Sequence, residues 1–86
     1  MSDKMKHRIK VTINGEEYFV KGSVPPEYIK KIANYVDQKM TNLAEGNPYL
    51  STSKIAVLAA LNITNELFTV TREYEEFLEL LEEIKE

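Results

Sequence analysis

Ile9, Val11 and Ile13 alternate with Arg8, Lys10 and Thr12, the period of two that marks a strand with one buried face. Asn14-Gly15 follows, the pair favoured in a type I′ turn because both central residues need positive φ. A second strand from Glu16 to Lys21 is predicted, with Ile13 opposite Glu16, Val11 opposite Tyr18 and Ile9 opposite Val20. That register sends Phe19 to the outer, wet face, where it either lies half-buried under the N-terminal segment or meets a partner. Gly22 and Ser23 break the strand, and Pro25-Pro26 opens a helix with Glu27 at the positive end of its dipole. This helix runs from about Pro26 to Leu43. Its apolar stripe is Ile29, Ile32, Ala33, Val36, Met40 and Leu43, and Gly46-Asn47-Pro48 stops it.

Ser51, Thr52 or Ser53 is placed to cap a second helix, and from there to Glu86 there is neither Gly nor Pro. A helix of roughly 34 residues, about 50 Å long, is expected. Ala56, Ala60, Ile63, Leu67, Val70, Tyr74, Phe77, Leu81 and Ile84 recur at alternating steps of four and three, the heptad seam of a coiled coil. Up to Phe68 a second apolar set, Val57, Leu58, Leu61 and Phe68, lies off this seam, so this half must be buried on two sides. One side meets the hairpin and first helix, the other a partner. Beyond Phe68 the flanks are mostly glutamate, and the helix leaves the head as an arm. The fold class is therefore α+β: a small ββα head over residues 1–50, then a long coiled-coil helix over 51–86. The predicted self-pairing residues are Ala60, Ile63, Leu67, Val70, Tyr74, Phe77, Leu81 and Ile84.

Length and charge narrow the reading. With 86 residues the chain makes one small domain, and a helix that leaves it needs a partner. Residues 1–65 hold nine Lys/Arg against six Asp/Glu, whereas 66–86 hold two against eight. A mildly basic head thus carries an acidic tail, which would repel phosphate and disfavours general nucleic-acid binding. There is no cysteine, which removes disulfides, thiolate metal sites and cysteine nucleophiles and suits a reducing compartment. The charged start lacks a signal-peptide core, and the longest apolar run, Ile55 to Leu61, is far too short to span a bilayer. A cytoplasmic protein without membrane or small-molecule partners is expected.

Candidate chemistry is thin. His7 is the sole histidine and reads as a solvated strand-edge residue with no second ligand or nucleophile beside it. The tail glutamates form a solvated face with no pocket to shift their pKa. No phosphate loop, metal spacing or nucleophile elbow is present, so neither catalysis nor a cofactor is expected. Asn62-Ile63-Thr64 matches a glycosylation sequon by chance. Lys4, Lys6, Arg8 and Lys10, with Lys30, Lys31 and Lys39 on the first helix, are suited to steering an acidic partner. The competing reading of the Lys4 to Lys10 stretch is a nucleic-acid contact.

A ββα head ending in Pro25-Pro26, followed by Leu58-Ala59-Ala60-Leu61-Asn62-Ile63-Thr64-Asn65-Glu66-Leu67 on a long helix, strongly resembles the ZapA family. Ala59-Ala60-Leu61-Asn62 with Glu66-Leu67 is its most specific part. The resemblance implies a cell-division protein at the mid-cell Z ring that binds FtsZ and promotes lateral association of its filaments. It implies a homodimer or a dimer of such dimers. Lys30, Lys31, Lys39 and Phe19 are the head residues expected to meet FtsZ. Glu16 stands after the hairpin glycine where several relatives carry a basic residue, so no basic contact is carried to that turn. The alternative is a coiled-coil adaptor for another cytoplasmic target. Small Ala59 and Ala60 allow close backbone approach, and Asn62 and Asn65 are polar groups able to satisfy head or partner atoms.

Overall fold

The computed structural model describes residues 7–85. Lys4 and Lys6 lie outside them. The order is β1 (His7–Ile13), β2 (Glu16–Gly22), α1 (Pro26–Gly46) and α2 (Thr52–Lys85). The strands pair antiparallel with Ile13 opposite Glu16, Val11 opposite Tyr18 and Ile9 opposite Val20. Asn14 and Gly15 turn between them at φ of 52° and 82°, a conformation that Asn tolerates and Gly adopts without steric cost. The Asn14 amide donates to Asp37 Oδ1 at 2.7 Å, which fastens the tip of the hairpin to α1. His7 opens β1 opposite Gly22 and is half-buried, so the strand edge shelters it more than its charged neighbours suggest.

Pro25 is extended and Pro26 begins α1, where a missing N–H costs nothing. At the other end the Asn47 side chain donates to the Leu43 carbonyl at 2.9 Å and its backbone N–H to the Ala44 carbonyl at 3.2 Å. These bonds satisfy carbonyls that a helix end leaves open. Ser51 Oγ accepts from the Lys54 N–H at 3.3 Å, so Ser51 caps α2.

Two small cores hold the head. Ile29 and Ala33 of α1 pack on Val11, with Ile9, Ile13 and Val20 around them. Met40 of α1 packs on Ile55 and Ala59 of α2, with Ile13, Val36, Leu43 and Ala44 around them. Ile13 belongs to both, so the two cores are joined.

The face by which α2 meets the head corrects the expectation. Ile55 and Ala59 are the residues buried there, and steps of four and three carry the same stripe on to Asn62 and Glu66. The off-seam set was expected against the head, yet Val57, Leu61 and Phe68 point into water and only Leu58 is half-buried. The reason is that Ile55 and Ala59 precede and interleave with the heptad pattern. Small Ala59 lets α2 approach Met40 closely, where a larger side chain would hold the helices apart. From residue 70 to residue 84 every position of α2 is exposed.

Candidate self-association and partner surfaces

Six apolar side chains are buried among the described residues, whereas α2 presents a long apolar stripe to water. Ala60 and Leu67 to Ile84 of the predicted seam are exposed, and Ile63 is half-buried. Leu67, Val70, Tyr74 and Ile84 each keep 60% or more of their surface. All eight lie along one side of the helix over about 36 Å. Water penalises this much continuous apolar surface.

The junction of α1 and α2 holds a polar cluster of which the sequence marked Asn62 as a group able to satisfy head atoms but not its partners. Lys39 Nζ donates to Glu66 Oε2 and, at 3.1 Å, to Asn62 Oδ1. The Tyr35 hydroxyl donates to Glu66 Oε1, and the Lys39 ammonium lies 5.3 Å from the centre of the Tyr35 ring. Hydrogen bonds from Lys39, then from Tyr35, hold the Glu66 carboxyl below its ordinary pKa. The Glu66 hydrogen bond raises both Lys39 and Tyr35. Lys39 is thus only 24% exposed and already paired. A signal was available: residues 62 and 66 lie one turn apart on α2, as 35 and 39 do on α1.

Lys30, Lys31 and Phe19 are exposed. Lys30 stands beside β1 in a shallow cleft with Lys10, and Lys31 follows it on α1. Phe19 lies on the outer face of the hairpin, opposite Lys10 in the register, with the Arg8 guanidinium 4.6 Å from its ring centre. Arg8 therefore covers Phe19 by a cation–π contact. Lys10 also reaches Glu17 at 3.7 Å. A basic strip runs from Lys30 across Lys10 and Arg8 to Phe19, while Lys39 belongs to the α1–α2 junction.

A family model described as Cell division protein ZapA matches residues 9–86. The chain belongs to the ZapA family. A Cell division protein ZapA of Geobacillus thermodenitrificans is 41% identical over 75 residues, 87% of this chain and 82% of that protein. Another, of Shouchella clausii, is 44% identical over 70 residues, 81% and 90% of the two chains. A solved structure described as a ZapA mutant dimer from Geobacillus stearothermophilus superposes with a TM-score of 0.69 at 35% identity, covering 95% of each chain. The ZapA fold and self-association are therefore consistent with the exposed stripe of α2. Within the segment that carries the resemblance, Ala59 is buried on Met40, Ala60 faces outward along the seam, and Asn62 and Glu66 hold Lys39. No helix among the described residues is long and apolar enough to cross a membrane.

Proposed function

We propose that this ZapA-family protein is a non-enzymatic division scaffold: it dimerises along α2 and binds FtsZ with each head, cross-linking filaments in the cytoplasm at the Z ring. The exposed apolar stripe of α2 carries the reading, because a helix with that surface needs a second copy. Two heads on one dimer give two attachment points. Once one is bound, the other meets its filament at high effective concentration, raising avidity by ~10²-fold without new contacts. The head surface proposed for FtsZ contains Lys30, Lys31 and Phe19. Lys39, whose ammonium is engaged by Glu66, serves it by placing α2.

The test is co-sedimentation with FtsZ polymers, with bundling followed by light scattering. Lys30→Glu with Lys31→Glu is expected to remain dimeric and lose binding. Leu67→Asp with Val70→Asp is expected to give monomers that bind weakly and do not bundle. Bundling by the charge-reversed variant at the parent level would exclude this head surface, and bundling by a folded monomer would exclude cross-linking by valence.

A further inference from the structure

A two-stranded sheet has two free edges, and the register fixes which backbone groups each edge shows. Ile13 and Glu16 flank the two-residue turn, so they exchange hydrogen bonds, and by alternation Val11 with Tyr18 and Ile9 with Val20 do the same. The N–H and C=O groups of Arg8, Lys10 and Thr12 therefore point away from β2, along the outer edge of β1. Outside the hairpin ladder, none of these groups has a backbone partner among the described residues. Beside that edge a shallow cleft runs between β1 and α1, with Lys10, Val11 and Thr12 on one wall and Lys30, Ala33 and Asn34 on the other. Lys10, Thr12, Lys30 and Asn34 are exposed, so the edge is reached from solvent.

We infer that this edge accepts an extended, acidic segment of a partner protein as an added strand. A row of unpaired backbone groups is a template for another strand, whose main-chain bonds supply affinity while side chains supply selectivity. Here the side chains select for acid. Arg8 and Lys10 line the outer face of the edge, and Lys30 stands on the far wall of the cleft. The carboxylate of Glu17 reaches Lys10 at 3.7 Å, but both side chains are exposed, and a pair of that kind is weak and readily exchanged. A second copy of β1 is a poorer occupant. Antiparallel pairing centred on Lys10 would set Lys10 against Lys10, and like charges directly opposite destabilise a sheet. The free edge of β2 shows Glu17, Phe19 and Lys21, a row of mixed charge, and the groove between that strand and α1 has no charged lining. The added strand shares Lys30 with the surface proposed for FtsZ, yet it does not require FtsZ to be the partner.

The full-length protein, isotope-labelled for NMR, is titrated to millimolar concentration with a synthetic peptide of alternating glutamate and threonine. A second peptide of the same sequence has every amide N-methylated, which keeps the charge and removes the main-chain donors. With the first peptide, hydrogen exchange at the amides of Arg8, Lys10 and Thr12 is expected to slow by ~10-fold or more as the bound form saturates. The amides of Glu17, Phe19 and Lys21 on the opposite edge keep their rates, and the methylated peptide slows neither set. Thr12→Pro removes one edge donor without changing any charge, at a kind of position where edge strands accept proline. It is expected to raise the dissociation constant of the first peptide by ~10-fold, whereas Lys21→Pro on the other edge leaves it unchanged. Circular dichroism checks that both variants fold, and the exchange measurement on the parent chain decides the matter without them. Equal binding of the two peptides, slowed exchange at the β2 edge instead, or no binding of the first peptide at millimolar concentration overturns the added strand.

Discussion

Ile55 is the most deeply buried large side chain, 1% exposed, and with Ala59 it forms the whole buried contribution of α2 to the head. Ile55→Ala removes three carbons from contact with Met40, Val36 and Leu43. Transfer alone is worth roughly 2.5 kcal/mol at about 0.8 kcal/mol per methylene. Incomplete collapse of the cavity brings the expected loss to about 3–4 kcal/mol, inside the range found for such truncations. A chain of this length has a total stability of roughly 4–13 kcal/mol, so the variant should be marginal at 25 °C. Urea unfolding followed by far-UV circular dichroism, at one fixed protein concentration, gives the value. Ile84→Ala is the control: the same atoms are lost from a side chain 69% exposed in the single chain, so its effect should be small at low protein concentration and grow as the dimer becomes populated. A loss below about 1 kcal/mol for Ile55→Ala would show that the head does not depend on α2, and the two joined cores would have to be abandoned.

Two further outcomes follow from the junction and the turn. Glu66 has a folded pKa below its unfolded one, so its contribution is present above the unfolded value and lost as pH falls through the folded value; Glu66→Gln should flatten that acid limb of a stability–pH curve, and an unchanged limb would mean the Lys39 contact is not maintained. Gly15→Ala puts a Cβ at φ 82° and should cost about 1 kcal/mol or more in urea unfolding although nothing lies within 4 Å of the added atom; a neutral result would mean that the turn readily relaxes.

The hairpin was legible because its signals are local: Asn14-Gly15 sets the register, and the alternation of Ile9, Val11 and Ile13 sets the face, both as found. The Pro25-Pro26 start of α1 and the uninterrupted length of α2 were legible for the same reason. The side of α2 that meets the head was not. Nearly the whole circumference of its first half is apolar, so periodicity alone does not separate Ile55 and Ala59 from Val57 and Leu61. That choice is made by the approach of Met40, a contact across the chain. Lys39 reads in sequence as one more helix lysine beside Lys30 and Lys31, and its pairing with Glu66, 27 residues further along the chain, depends on the crossing of the two helices.

The cluster of Tyr35, Lys39, Asn62 and Glu66 is the outermost polar fastening between the two helices. Past Glu66 the remaining residues of α2 extend about 28 Å at 1.5 Å per residue. A rod held at one end amplifies angle into displacement: a 10° change at that fastening would carry the tip by about 5 Å over this length. Four side chains thus determine the aim of the rod, and a substitution among them would redirect where its far end lands without altering a residue there.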